Sequence, residues 1–407
     1  MQSSNVWHKR AGGSQGMSDT CMLKRPYDMN FGRFRNGCRK PLMAMVEVTQ
    51  RCNMSCPVCF TDARGQAQDT PIEVIKAKID KLVSEIGTIP LQISGGEPTL
   101  HPLLKEIVSY ADARGFTNIE LVTNGIRISK EQGYLSSLAK AGLSSVYLQF
   151  DGLRKDTYLR IRGQDMEDIR LRAIAAIRRA KMCCTLAVAV ARNVNDNELG
   201  DIVRFGVENI DTVRAINFQA ATRFAGRYDL ADTGVGFTLE ELIGLIEEQT
   251  GMAHGGFLTD VLGHHHCNAI SLAYVVGGRL EPLFRYFGKE KIQRFLGSNR
   301  RETILDLFLG KERFLGKQLF RPQFWSLLRD AAAIFGKQPD IRSAMRSQHI
   351  LLFVKSFMEH DRFDGERLHQ CNYGIVDDRG IYSFCAYNNY HRINGRCDSE
   401  KILDEKL

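Results

Sequence analysis

Residues 51–60 read RCNMSCPVCF and place Cys52, Cys56 and Cys59 within one short stretch. Thiolates select zinc, copper(I) or iron–sulfur clusters. A closed structural zinc site takes four ligands, normally as two close pairs separated by a loop. Three thiols therefore mean either that a fourth ligand comes from elsewhere or that one position is left open. The triplet directly follows the predicted strand LMAMVEVT (42–49), so it falls at the C-terminal edge of a predicted sheet. That edge carries the chemistry in barrel-like α/β folds. A cubane [4Fe–4S] cluster on three cysteines leaves one iron free for substrate, which gives the open position a purpose. A zinc site or a buried thiol cluster is the plain structural alternative.

Outward from this stretch, short apolar runs alternate with amphipathic segments. Further strands are predicted at 91–94, 118–124, 145–151, 185–192 and 213–220, with helices at 71–86, 101–114, 130–141, 166–181 and 196–208. Six strands separated by helices have the spacing of βα units, which predicts parallel strands with helices outside. The pattern leaves a curved, open barrel and a doubly wound sheet both standing. Three regions are expected: an irregular segment at 1–40, a barrel at 41–235 and a mostly helical, cysteine-containing extension at 236–407. A helix is predicted at 237–250. From 280 to 370 Phe is frequent, Lys and Arg outnumber Asp and Glu, and the pattern reads as amphipathic helices with basic polar faces.

The 407 residues, 43% of them hydrophobic, suffice for a large core. Eleven unevenly scattered cysteines do not form the framework of a small secreted protein. The first residues lack an apolar signal core, and no apolar run is long enough to span a bilayer. Met17 offers an alternative start, so the first sixteen residues carry little weight. A reducing cytoplasm is the expected location. The net charge of +8 fits anionic small molecules, a membrane surface or nucleic acid without choosing among them.

Cys52-x3-Cys56-x2-Cys59 after a first strand resembles the signature of the radical S-adenosylmethionine (SAM) enzymes. A second motif agrees: SGGEP at 94–98 follows the second strand and resembles the family's GGEP turn. Its glycines permit close backbone approach. The resemblance covers about 42–225 and implies a partial (β/α)6 TIM-like barrel, a [4Fe–4S] cluster on the three cysteines, and SAM bound by Gly95, Gly96, Glu97 and Pro98. It also implies a one-electron donor such as flavodoxin or ferredoxin, and reductive cleavage of SAM to a 5′-deoxyadenosyl radical that abstracts a substrate hydrogen. Many members carry an aromatic residue just before the third cysteine; here Val58 stands there and Phe60 follows. Polar residues at the other strand ends complete the expected SAM site: Thr123 and Asn124, Gln149 and Asp151, and Arg192 with Asn193. A turn or capping role is the alternative for each.

Four late cysteines, Cys267, Cys371, Cys385 and Cys397, are candidate ligands of an auxiliary [4Fe–4S] cluster, against the alternative of free thiols in a reducing compartment. Cys183 and Cys184 read as core; Cys21 and Cys38 are weaker candidates. The histidines of GHHHC (263–267) permit a separate metal, but neighbours on a strand point opposite ways, so orienting substrate or packing fits better. CPVCF, GHHHCNAISLAYVVGG and GIYSFCAYNNYHR together resemble the branch of tetraether lipid synthase and the methanopterin-methylating enzymes. The cysteine-rich N-terminal module of longer relatives is not matched, since Cys21 and Cys38 cannot make two CxxC pairs.

The expected function is therefore radical SAM chemistry, with C–C bond formation or one-carbon transfer at an unactivated carbon of a lipid-like substrate. The basic, Phe-rich stretch motivates the lipid, and peripheral membrane contact with it. The alternative is modification of a peptide or soluble natural product, which an open polar groove would favour over an apolar tunnel. A nucleic-acid partner is not expected, because no RNA-binding motif accompanies the basic residues.

Overall fold

The computed structural model describes residues 30–34, 40–63, 67–224, 226–230, 236–259, 261–276, 279–283, 290, 325–326, 329, 349–359 and 363–392. The predicted strands appear as β1 (Met43–Thr49), β3 (Leu91–Gly95), β4 (Ile119–Thr123), β5 (Ser145–Gln149), β6 (Cys183–Val190) and β7 (Val213–Ala220). The helices between them are α1 (Ile72–Glu85), α2 (Leu104–Ala113), α3 (Ile126–Lys130), α4 (Tyr134–Lys140), α5 (Lys155–Arg162), α6 (Glu167–Arg179) and α7 (Leu199–Glu208). The stretch expected as one helix at 130–141 is broken into α3 and α4, because Gly133 takes a left-handed conformation between them. Helix α5 was missed: its sequence is too charged to show an apolar stripe.

Each crossover helix buries one stripe. In α1 this is Ile75, Ile79 and Leu82, spaced to share a face. The strands are covered outside by these helices and buried inside the barrel, so β3 is buried along its whole length. Cys184 lies wholly within this core and Cys183 opens β6, as expected for packing residues.

The later chain joins the same sheet. Strands β9 (Asn268–Val276), β10 (Arg279–Pro282) and β11 (His349–Lys355) extend it past β7; β12 (Tyr373–Asp377) and β13 (Gly380–Ser383) extend it past β1. The order is β10-β9-β11-β7-β6-β5-β4-β3-β1-β12-β13 among the described residues, with β11 parallel to β7 and β12 parallel to β1. The extension thus lengthens the predicted six-stranded parallel run at both ends. Its described part mixes five strands with α8 (Leu239–Thr250) and shorter helices; of the amphipathic helices expected over 280–370, 349–355 is strand β11 instead and most of the rest lies outside the described residues.

The sheet is rolled. Strands β11 and β12 stand seven positions apart in it, which on a flat sheet would separate them by roughly 34 Å. Yet the Lys355 ammonium sits 4.9 Å from the centre of the Tyr373 ring. The barrel is therefore closed to within side-chain reach, with a lumen between its first and last parallel strands.

Candidate active site

Cys52 and Cys56 lie on the loop between β1 and the two-residue strand β2 (Val58–Cys59), and Cys59 closes that strand. That loop is pinned from several sides. The Gly96 and Glu97 amides donate to the Thr49 and Arg51 carbonyls, both at 2.8 Å, laying the SGGEP turn under the loop. A Cβ on Gly95 would stand 2.1 Å from the Thr49 oxygen, and one on Gly96 2.1 Å from the Arg51 oxygen. The glycines are thus required for the turn to approach the cysteine loop. Arg227, on β8 (Arg227–Tyr228) opposite Cys59, donates to the Cys56 carbonyl at 3.0 Å and to Asp62 at 2.8 Å. Arg162, at the end of α5, donates to the Val58 carbonyl at 3.1 Å.

Glu97 ties two strand ends together. Its buried carboxylate accepts from the Thr99 amide (3.1 Å) and hydroxyl (2.5 Å), the Thr123 hydroxyl (2.7 Å) and the Asn124 amide (2.8 Å). Burial pushes its pKa up, and these donors oppose the shift. Pro98 opens the 3-10 turn Pro98–Leu100 that follows. Asn124 in turn donates to Asn53 within the cysteine loop at 2.8 Å.

These elements line a pocket that opens to solvent. Cys52, Cys56, Cys59, Gly95, Gly96, Glu97, Asn124 and Gln149 all line it, so the structure brings most of the sequence-derived site together. Three strand-end candidates stand apart. Asp151 is fully buried and clasps Arg162 through both oxygens, at 2.6 and 2.7 Å. Its place is beneath the site, supporting the arginine that does line the cavity. Arg192 turns outward, lies 4.0 Å over the Phe237 ring and pairs with Glu241 at 3.1 Å. That glutamate belongs to α8 (Leu239–Thr250), so Arg192 fastens a helix. Asn193 adopts φ 59° and accepts from Arg160, as a turn residue does.

The sequence did not reveal Arg162, Gln219, Thr222 or the aromatic wall. That wall comprises Phe60, Phe224, Phe357 and Phe384, with neighbouring ring centres 4.9–6.4 Å apart. Phe357 and Phe384 come from the extension. The Phe384-Cys385 pair was visible only as a late motif with no location.

The donor set fits an iron–sulfur cluster better than one ion. Among the described residues, no three His, Cys, Asp or Glu side chains converge as a single-ion site requires. A multi-iron cluster needs its thiols on separate corners, facing a common space. In the metal-free protein, burial pushes the Cys52 thiol up to about 12. Burial also raises Cys56, against the opposing pull of Arg162. Bound iron would reverse this and hold the thiolate form.

Cys267, Cys371 and Cys385 gather near the barrel seam, close enough that their charges would act on one another. Arg367 donates to the Cys267 sulfur at 3.1 Å, and the Met358 amide to that of Cys385 at 3.4 Å. Cys397, Cys21 and Cys38 lie outside the described residues. The three histidines at 264–266 form a stack with ring centres 4.1–5.4 Å apart; His266 pairs with Glu240.

The radical SAM superfamily model matches residues 46–206. The 7,8-dihydro-6-hydroxymethylpterin dimethyltransferase of Methanocaldococcus jannaschii is 32% identical over 412 residues, covering 90% of this chain and 80% of that protein. A probable GTP 3′,8-cyclase of Methanothermobacter thermautotrophicus is 30% identical over 172 residues, 41% of this chain and 54% of that protein. Among solved structures, SuiB of Streptococcus suis aligns at TM-score 0.43 and 16% identity over 51% of this chain and 46% of that one.

Proposed function

This chain belongs to the radical SAM superfamily, and from that premise we propose that it transfers a one-carbon unit to carbon on a small polar heterocycle of the reduced-pterin type. As a member it is an enzyme that uses a [4Fe–4S] cluster and SAM. When bound, the cluster supplies the electron that cleaves SAM and so generates the hydrogen-abstracting radical.

The chain's own residues hold, orient and enclose. Cys52, Cys56 and Cys59 would ligate the cluster. The turn of Gly95, Gly96, Glu97 and Pro98 would present backbone groups to the methionine end of SAM, with Asn124 and Gln149 at the adjoining strand ends. The phenylalanine wall excludes water from the reacting centre.

The observation that carries the choice of substrate is the mixed lining of the barrel. Met43 and Phe353 give the lumen cavity apolar surface. Gln92, Glu120, Tyr147 and Asn217 give the same cavity a polar, hydrogen-bonded wall. A planar heterocycle with N–H groups matches both kinds of surface, whereas an acyl chain would leave the buried Asn118 and Asn217 oxygens without a donor. The dimethyltransferase relative, matched over most of its length, supports the same reading. The stretch that favoured a lipid lies largely outside the described residues. No helix among the described residues is long and apolar enough to cross a membrane.

The test is anaerobic turnover of the reconstituted protein with SAM, a low-potential one-electron donor and either 7,8-dihydro-6-hydroxymethylpterin or acyl lipids. A second SAM would supply the carbon and leave as S-adenosylhomocysteine, the donor giving two electrons per turnover; 5′-deoxyadenosine and S-adenosylhomocysteine formed together with a one-carbon adduct of the pterin are expected. Coupling to the lipid alone would restore the lipid reading.

A further inference from the structure

A second cavity lies in the lumen and shares Tyr147 with the first. Its lining is unusual in what it leaves unpaired. Asn118 and Asn217 are 7% and 3% exposed, line this cavity, and each carries a side-chain oxygen with no hydrogen-bond partner. The Asn217 amide nitrogen is already committed, donating to the Tyr147 hydroxyl at 2.7 Å, which leaves its oxygen as the free end. Buried acceptors of this kind cost free energy unless something donates to them.

Glu120, 8% exposed, lines the same cavity. It accepts from Gln92 at 2.6 Å, from Ser145 at 3.2 Å and from Thr185. Burial pushes its pKa up, and these donors and the Lys355 charge oppose the shift. An ionised carboxylate offers about four acceptor sites, so one remains, and the long Ser145 bond can give way to a second ligand donor. The neighbouring cation is Lys355, which lines the same cavity and acts on Glu120 electrostatically without a salt bridge. Met43 and Phe353 supply apolar surface. The cavity is thus acceptor-rich along one edge, has one donor cation beside that edge, and has flat apolar sides.

We infer that Glu120 is a substrate-specificity residue that pairs with two adjacent N–H groups of a cyclic amidine, with Lys355 facing the ring oxygen next to them. A 2-amino-4-oxopyrimidine edge presents that order: amino, ring N–H, carbonyl. The unpaired oxygens of Asn118 and Asn217 take further donors of the same ligand or its bound water. This inference rests on the proposed reading of the substrate and names how this chain would recognise it. Glu120 lies on β4, two residues before Val122, which lines the cysteine cavity; alternation puts both on the lumen face. A ligand anchored at Glu120 would therefore extend toward the cluster end of the barrel.

The test is equilibrium binding to the reconstituted full chain, with 7,8-dihydro-6-hydroxymethylpterin compared with its analogue bearing a 2-oxo group in place of the 2-amino group. Wild type should bind the amino compound at least tenfold tighter, since a site built for a donor rejects a ligand lacking it. Glu120→Gln should abolish that preference, and Glu120→Asp should keep it at weaker affinity. Equal binding of both compounds by wild type, or an unchanged preference in a folded Glu120→Gln protein, would overturn the inference and leave the pterin reading standing. Binding of neither compound would overturn that reading and the inference with it. The wild-type comparison decides even if Glu120→Gln fails to fold.

Discussion

Arg162 shows how a site residue depends on one partner. Its guanidinium is 7% exposed, lines the cysteine cavity beside Cys56, and is held through two hydrogen bonds by the fully buried Asp151. A buried pair gains little over an apolar pair, but removing one member strands the other charge. Arg162→Met should therefore destabilise the protein by about 3–5 kcal/mol in urea unfolding. Adding Asp151→Leu should recover most of that loss. Additive losses in the double variant would show that the two side chains act independently. Asp151 was expected at the SAM site from its position after a strand. Spacing reports that a polar residue sits at a strand end, and only packing decides whether it faces the cavity or a neighbouring arginine.

At the scale of elements, the β1–β2 loop and helix α8 give two tests. Replacing Cys52, Cys56 or Cys59 singly with Ala should abolish 5′-deoxyadenosine formation, because each is proposed as one of the three cluster ligands. Unchanged cleavage in all three variants would contradict the assignment. Helix α8 begins with a capping box, Thr238 and Glu241 each accepting from the other's backbone amide. Thr238→Ala should cost about 1 kcal/mol in denaturant unfolding. The Thr238 amide and then Arg192 hold the Glu241 carboxyl below its ordinary 4.5. Because the folded-state pKa is the lower one, the stabilisation is present above pH 4.5 and drains away as the pH falls through the folded value. The stability gap between wild type and Glu241→Gln should therefore close in acid. A gap that is independent of pH would mean that the carboxylate charge contributes nothing.

For the whole molecule, the extension matters because it rolls the sheet toward closure. It carries Cys267, Cys371 and Cys385 to the seam, and Phe357 and Phe384 to the cavity wall. We propose that the three seam thiols hold an auxiliary cluster, with Cys397 as a further candidate; their proximity supports this. Iron analysis of a folded Cys52→Ala/Cys56→Ala/Cys59→Ala protein tests it. About four residual irons per chain are expected for one such cubane, and near zero would refute it.

The sequence by itself determined the six βα units, the cysteine loop and the SGGEP turn. Each is a local matter: strand and helix periodicity, or residues close along the chain and fixed by backbone geometry. Cys52, Cys56, Cys59, Gly95 and Gly96 could be read because their spacing is their function. Only the tertiary structure decided that Arg192 leaves the site for Glu241, that Arg162 enters it, and that Phe384 walls it. It alone set Glu120 and Lys355 against one cavity. Those pairings join residues tens to hundreds of positions apart, and closure of the barrel, which no local pattern encodes, is what brings them within reach.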